Sequence, residues 1–197
     1  MSDRMIDLLE SFKGIPVVKK GEYDYFVHPL SDGIPLVGPE ILQNSAILMA
    51  ELIPEGTEYN VLVTAEAMGI PLTAGISMLT GKPFNIVRKR DYGIKGEIEL
   101  AQSTGYSRGA LYINIPVNAG SCVIIDDVLS RGGTLRSMTE GIRESGNDPL
   151  GAVILVDKMG AEGRKSMEEE LDIWIRPLLY VDIIDGVCTA RPTEFVR

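Results

Sequence analysis

Two adjacent carboxylates, Asp126 and Asp127, end an apolar run and precede a short turn of small, hydroxyl and cationic side chains. The turn, or phosphate loop, consists of Ser130, Arg131, Gly132, Gly133 and Thr134. Because burying an unpaired charge is costly, two acids at the end of a buried strand indicate a polyhydroxyl or cationic ligand. Glycines let backbone N–H groups converge, and a helix that starts there favours an anion. Together the two features predict a site for a ribose 5-phosphate; an ordinary strand-to-helix turn is the alternative.

The segment from Ser121 to Thr134 resembles the 5-phosphoribosyl-1-pyrophosphate (PRPP) signature of the type I phosphoribosyltransferases. The resemblance implies that the acidic pair, Asp126 and Asp127, holds the ribose 2- and 3-hydroxyls and that the phosphate loop binds the 5-phosphate. Arg131 stands where the family usually has threonine, so the hydroxyl contact at that position is lost. A long cation at this position could still meet the phosphate.

Most of residues 13 to 135 resemble the archaeal hypoxanthine/guanine phosphoribosyltransferases. The matching stretches are KKGEYDYFVHPLSDGIPL, EAMGIPL, VRKRDYG, STGYSRGALYIN and VIIDDVLSRGGTL. This resemblance implies attack of a purine N9 on C1 of PRPP with inversion, which gives IMP or GMP and pyrophosphate. It also implies Mg²⁺ as the cofactor, with Asp126 and Asp127 as its protein ligands. Two alternatives stay open, namely adenine as the acceptor and a non-catalytic regulator that senses PRPP.

A second anion site is predicted at Glu66, Ala67, Met68 and Gly69, the anion loop, which follows the predicted strand Tyr59 to Thr64. A glycine-containing turn that opens a helix can present backbone amides to an anion, although a simple turn has the same pattern. In the adenine branch of the family the matching loop binds pyrophosphate, and here Met68 replaces its arginine. Backbone amides or another group must therefore supply that contact.

Three consecutive cations, Arg88, Lys89 and Arg90, follow the predicted strand Pro83 to Val87. Cations beside a departing pyrophosphate stabilise its charge, and members of the family carry a matching Arg-Lys pair. The resemblance implies that Arg88 binds pyrophosphate and that Lys89 acts in catalysis. In several members this lysine crosses a dimer interface to the neighbouring site. A solvated basic edge is the alternative interpretation.

Residues 91–109, the lid, lack sustained apolar periodicity and are predicted to form a long, mobile loop. A reacting PRPP must be shielded from water, and a lid with glycine hinges provides that shield. The adenine branch of the family carries a Glu-Tyr pair in its lid. Gly105 and Tyr106 take that place here, so the resemblance implies a catalytic role for Tyr106 and provides no matching acid.

The purine base is expected between the sheet and residues 15–38, the hood. Tyr25 and Phe26 of the hood are predicted to stack on the base, and Leu129 is predicted to contact it. Hypoxanthine enzymes of the animal type place an acid three residues after the acidic pair to handle the purine N7 proton. Ser130 occupies that position here, so no general acid or base is assigned.

Predicted strands and helices alternate along the chain, which is typical of an α/β fold with a mostly parallel, twisted sheet flanked by helices. Sheets of this kind bind ligands at the C-terminal ends of their strands. The last predicted elements are a helix at Glu162 to Glu170 and a pair of short strands within Ile173 to Ile184. We expect a single phosphoribosyltransferase domain that spans residues 1–197.

Composition restricts the partners. The net charge of −9 argues against a nucleic-acid binder. No apolar stretch approaches the roughly 20 residues of a membrane span, so no membrane partner is expected. Cys122 and Cys188 form neither a CxxC pair nor a disulfide framework, which favours the cytoplasm. His28 is the only histidine, which excludes a site built from several histidines. The family resemblance adds the expectation of a homodimer.

Overall fold

The computed structural model describes residues 1–21, 23–103 and 108–196. Within them the strands are β1 (Val17–Lys20), β2 (Tyr23–Phe26), β3 (Val61–Ala65), β4 (Phe84–Val87), β5 (Ile98–Ser103), β6 (Arg108–Ile113), β7 (Ser121–Leu129), β8 (Asp148–Asp157), β9 (Trp174–Ile184) and β10 (Val187–Pro192). The helices are α1 (Asp3–Ser11), α2 (Pro29–Asp32), α3 (Pro39–Ala50), α4 (Gly69–Thr80), α5 (Gly133–Glu144) and α6 (Gly160–Leu171).

A six-stranded sheet in the order β10-β9-β8-β7-β3-β4 forms the centre of the molecule. Its strands run parallel except β10, which is antiparallel to β9. Helices α4, α5 and α6 make the crossovers between consecutive parallel strands. Two antiparallel hairpins, β1-β2 and β5-β6, lie outside this sheet. The predicted α/β fold with a mostly parallel, helix-flanked sheet is confirmed.

The central strand β7 separates two hydrophobic layers, because successive side chains of a strand point to opposite faces. Val123 and Ile125 pack into the layer that contains α1, α3 and α4, whereas Cys122 and Ile124 pack into the layer of α5 and α6. All four are fully buried. Burying a Val or Ile side chain contributes about 1.5–3 kcal/mol, so this strand holds its end firmly in place.

Strand β7 is longer than the apolar run suggests. The run ends at Ile125, but the strand continues to Leu129 because β8 keeps pairing with it, from Asp126 opposite Ile154 to Leu129 opposite Asp157. Pairing with β3 stops at Ile125. The acidic pair therefore lies inside a strand with one open side, and not in the turn after it.

Two further elements differ from prediction. Residues 174–184 form one strand, not two short ones, because β8 and β10 pair along different parts of its length. Strand β10 was not predicted, since its polar residues do not form an apolar run. Asp185 and Gly186, both with positive φ (52° and 76°), make the hairpin turn before it. An Asp-Gly turn signal of this kind could have revealed the strand.

The lid is partly ordered structure. Residues 98–103 form β5, which pairs with β6 and buries Leu100 against the second hydrophobic layer. The prediction of a continuous loop is wrong for this part because a six-residue strand shows too little periodicity to stand out. Residues 104–107 lie outside the described ranges. In the part of the chain that the structure covers, no helix is long and apolar enough to cross a bilayer.

Gly151 offers a test of the sheet packing. It pairs with Trp174 across β8 and β9, and a Cβ at this position would collide with the indole ring. We expect Gly151→Ala to lower the free energy of unfolding by about 1–3 kcal/mol, measured by denaturant titration. Gly109→Ala is the control, since a Cβ there meets no atom within 4 Å. Equal stability of the two variants would contradict this packing.

Candidate functional site

The acidic pair lies at the C-terminal end of β7. Asp126 is only 7% exposed and Asp127 is partly exposed. Burial raises the pKa of Asp126 to about 6, against the opposing effects of its hydrogen bond with Asp127 and of the Lys89 ammonium. Burial, followed by the negative charge of Asp126, raises the pKa of Asp127 well above its usual range. Both carboxyls therefore hold their protons more tightly than exposed aspartates do, and a ligand that donates hydrogen bonds or carries positive charge would favour their ionised forms.

The phosphate loop continues directly from this strand into α5. Gly132 adopts a left-handed conformation (φ 73°) at the N-cap of α5, and a Cβ there would collide with Met167. No side chain caps this helix end, so its first turn presents backbone N–H groups. A small concavity lies over the loop and is lined by residues 128–135 together with Asp126 and Ile154. A helix N-terminus in a concavity of this kind favours an anion such as phosphate.

Arg136 stabilises the phosphate loop through hydrogen bonds to the loop and to α6. Its guanidinium donates to the Arg131 carbonyl at 2.9 Å and to the Glu170 carboxylate at 2.6 and 2.8 Å. The side chain of Arg131 itself is exposed. The loop and α6 are thus tied together beside the anion position.

The anion loop lies beside the acidic pair. A Cβ at Gly69 would collide with Thr64 Oγ1 and lie 3.3 Å from both Asp126 Oδ1 and the Ile125 carbonyl oxygen. Only glycine allows this approach, which brings the start of α4 against the carboxylate. Ala67 is exposed. Met68 points toward the hood, and its Sδ lies 3.8 Å from the point that a Cβ on Gly33 would occupy.

Glu66 joins the anion loop to the cations after β4. Its carboxylate accepts the Lys89 backbone N–H at 2.7 Å and forms an ion pair with the Arg88 guanidinium at 3.5 Å. Arg88 also exchanges two backbone hydrogen bonds with Tyr112, at 2.9 and 2.7 Å, which connect this strand end to β6. The Lys89 side chain is exposed and its charge acts on Asp126. Arg90 instead stacks on Tyr92, 4.8 Å from the ring centroid.

The hood residues do not all occupy the positions predicted for base binding. Phe26 is 3% exposed and packs edge-on against Phe12, with the Lys158 ammonium 5.4 Å from its ring. The ring is part of the core, so the expectation that it stacks on a base does not fit this structure. Tyr25 is partly exposed and its hydroxyl donates to Asp32 at 2.9 Å. Leu129 is 2% exposed and lines the concavity.

Sequence reasoning missed Asp32 and Lys158. Asp32 belongs to a four-residue helix, too short to show a periodic pattern, and its charge contributes to the raised pKa of Asp127. The Lys158 ammonium donates to the Asp24 carbonyl at 3.2 Å and so joins the hood to the end of β8. Lys158 follows the end of β8, and this position could have identified it as a candidate site residue, because ligands bind at the C-terminal ends of parallel strands. Tyr106, by contrast, lies outside the described residues.

Few side chains of the described residues are placed to bind a metal ion together. Among residues 1–21, 23–103 and 108–196, no three His, Cys, Asp or Glu side chains converge into a site. The acidic pair offers carboxylate oxygens alone, which suits Mg²⁺ because that ion keeps several waters and shares ligand oxygens with a bound phosphate. The residues present therefore fit a Mg²⁺ ion that arrives with its substrate.

Comparisons with known proteins agree on one family. Residues 36–176 match the family model described as "Phosphoribosyl transferase domain". The hypoxanthine/guanine phosphoribosyltransferase of Methanocaldococcus infernus is 42% identical over 179 residues, which cover 91% of this chain and 96% of the relative. That of Methanocaldococcus jannaschii is also 42% identical, with the same coverage.

Solved structures show the same fold at low identity. The adenine phosphoribosyltransferase of Thermoanaerobacter pseudethanolicus superposes with a TM-score of 0.71 at 20% identity, covering 89% of this chain and 99% of that one. The Saccharomyces cerevisiae enzyme gives a TM-score of 0.71 at 16% identity, with 90% and 99% coverage. At these identities the likeness concerns the fold alone.

The acidic pair should destabilise the protein at neutral pH. Because the folded pKa of each carboxyl is raised, the native state holds protons that the unfolded chain releases, and the free energy of unfolding falls as pH rises from about 4 through about 6 and beyond. We expect Asp127→Asn to be more stable than the wild type at pH 8, on the order of 1–3 kcal/mol, and to differ little at pH 4. Thermal unfolding at both pH values measures this.

The exposed β9 residue Asp182 supplies the control, and Asp182→Asn should not alter the pH dependence. If Asp127→Asn is no more stable than the wild type at pH 8, the acidic pair is not under the electrostatic strain described.

Proposed function

Because this chain belongs to the phosphoribosyltransferase family, we propose that it transfers the 5-phosphoribosyl group of PRPP to hypoxanthine and/or guanine, forming IMP or GMP and pyrophosphate. The predicted resemblance to the archaeal hypoxanthine/guanine enzymes is confirmed by relatives at 42% identity across 91% of the chain. One structural observation supports the transfer of phosphoribose most strongly. Asp126 of the acidic pair and the uncapped N-terminus of α5 line a single concavity.

The proposed binding mode assigns one group to each part of PRPP. The carboxylates of Asp126 and Asp127 accept hydrogen bonds from the ribose 2- and 3-hydroxyls. The phosphate loop, residues 130–134, binds the 5-phosphate through backbone N–H groups at the start of α5. The hydroxyls of Ser130 and Thr134 add donors, and the exposed Arg131 places a positive charge at the rim. The sugar is thereby held at both ends, with C1 toward the anion loop.

The anion loop and the cations after β4 would receive the pyrophosphate. Backbone amides of residues 66–69 replace the missing arginine, and Arg88 and Lys89 supply positive charge. Charge that develops on the leaving group is stabilised when such donors are already in place. The ion pair with Glu66 holds Arg88 in position. A bound Mg²⁺ would neutralise part of the pyrophosphate charge, held by Asp126 and Asp127 directly or through water.

We extend the proposal to assembly and location. A cytoplasmic homodimer agrees with the two unpaired cysteines and with an exposed apolar surface at the edge of the sheet. Met78 and Leu79 at the end of α4 are 88% and 51% exposed, and Phe84 on the edge strand β4 is 37% exposed. A second subunit would cover these side chains. Light scattering of the purified protein measures the assembly directly.

Product analysis with three bases tests the function. We expect PRPP with hypoxanthine or guanine to yield IMP or GMP, and adenine to react at least about 100-fold less efficiently by kcat/KM. A preference for adenine would instead support an adenine phosphoribosyltransferase, the activity named for the structural neighbours. If PRPP binds but no base reacts, the chain is a PRPP sensor and the proposed activity is refuted.

Lys89 should affect turnover more than base affinity. Its charge lies close to the acidic pair, where the proposed pyrophosphate departs. We expect Lys89→Ala to lower kcat about 10²-fold with little change in the KM of the base, measured by steady-state kinetics. The adjacent Arg90→Ala is the control, since that guanidinium stacks on Tyr92. An effect of Lys89→Ala confined to the KM of the base would contradict the assignment.

A further inference from the structure

We propose that Asp32, at the end of α2 in the hood, accepts the N1–H of the incoming base and thereby selects 6-oxopurines against adenine. This inference rests on the proposed function and adds the residue that determines its specificity. The acidic pair and the loops around it grip PRPP and are indifferent to the base. A group that distinguishes bases must lie opposite them, which is where the hood approaches the sheet.

Asp32 is held rigidly by its own segment. Its Oδ2 accepts the Ser31 hydroxyl at 2.7 Å and the His28 backbone N–H at 3.0 Å, and its Oδ1 accepts the Tyr25 hydroxyl at 2.9 Å. A carboxylate offers about four acceptor positions. Three are used by these donors, so Oδ1 keeps a lone pair for a ligand, and the side chain is only partly buried.

The segment that carries Asp32 faces the proposed PRPP site. The neighbouring Gly33 lies against Met68 of the anion loop, with 3.8 Å between Met68 Sδ and the Cβ position of Gly33. Helix α2, which ends at Asp32, also contacts β7, the strand that carries the acidic pair. Asp32 therefore lies on a segment that contacts both the anion loop and the strand of the acidic pair, close to the position that the proposed binding mode gives to the base.

His28 anchors this part of the hood to α1. Its ring stacks on Phe12 with 3.9 Å between centroids, and its Nδ1 accepts the Leu30 backbone N–H at 3.2 Å. Nε2 therefore carries the hydrogen and donates to the Ser11 hydroxyl at 3.0 Å. Burial lowers the pKa of His28 to about 4, so the ring stays neutral and this arrangement persists at physiological pH. A carboxylate on so fixed a support can discriminate between ligands.

The hydrogen-bonding groups of the two classes of base determine which of them Asp32 can bind. Hypoxanthine and guanine carry a hydrogen on N1, and guanine adds an exocyclic amino group beside it. Adenine presents a lone pair at N1 instead. A carboxylate accepts a hydrogen bond from the N1–H of hypoxanthine or guanine and repels the N1 lone pair of adenine. A site built to hydrogen-bond a substrate rejects an analogue without the donor by about 10⁴-fold.

Asp32→Asn should change this preference. The His28 N–H and the Ser31 hydroxyl require an oxygen, so the new amide nitrogen takes the Oδ1 position, where the Tyr25 hydroxyl can accept from it. The group facing the base is then a donor, not an acceptor. We expect kcat/KM for hypoxanthine to fall about 100-fold or more while that for adenine holds or rises, with the KM of PRPP unchanged.

The control is Asp24→Asn, the same change on the neighbouring strand β2, which should preserve the ratio of hypoxanthine to adenine use. An equal loss with both bases in Asp32→Asn would show a purely structural role and overturn the inference. A changed KM for PRPP with an unchanged base ratio would also overturn it, because Asp32 would then face the ribose.

A measurement on the unaltered protein covers the case in which Asp32→Asn does not fold. Hypoxanthine should bind at least about 10-fold more tightly than its analogue with CH in place of N1–H, and equal affinities would overturn the inference. The proposed function fails by a different result, namely no turnover of hypoxanthine or guanine by the wild type. Turnover of 6-oxopurines without dependence on Asp32 would refute only the present inference.

Discussion

Burial of two neighbouring carboxylates at the end of the central strand is the constraint on which the rest of this structure depends. Burial raises the pKa of both Asp126 and Asp127, and the negative charge of Asp126 raises that of Asp127 further. The fully buried apolar side chains of β7 on both faces of the sheet hold the pair in place regardless. The protein thus keeps an electrostatically unfavourable arrangement that a polyhydroxyl ligand would relieve.

Parallel strand order brings the other parts of the site to the same edge. Strands β3 and β4 end beside the acidic pair, and β7 continues to the phosphate loop at Leu129. The anion loop, the Arg88–Lys89 cations and the phosphate loop therefore lie at the same edge of the sheet. Gly69 permits contact between the anion loop and Asp126, and Glu66 fixes the cations. The hood closes the remaining side, anchored through His28 and Lys158.

Sequence patterns predicted the parts of this arrangement that depend on local order. Long apolar runs and glycine turns identified β7, α5 and the phosphate loop, because their signals lie within a few residues. Tertiary pairing decided the rest. Pairing with the neighbouring strand β8 extends β7 through the acidic pair, and tertiary packing, including the contact with Phe12, makes Phe26 a core residue. Asp32 likewise acquires its significance from a fold that brings a four-residue helix opposite β7.

Proton release on ligand binding tests the central claim most directly. Hydroxyl donors favour the ionised carboxylates, so PRPP with Mg²⁺ should lower the raised pKa values of the acidic pair and thereby release protons. Calorimetric titration near pH 6, where the carboxyl of Asp126 titrates, in two buffers of different ionisation enthalpy counts the protons released. We expect the wild type to release more protons than Asp127→Asn under the same conditions. Equal proton release by the two proteins, with PRPP bound in both, would contradict it.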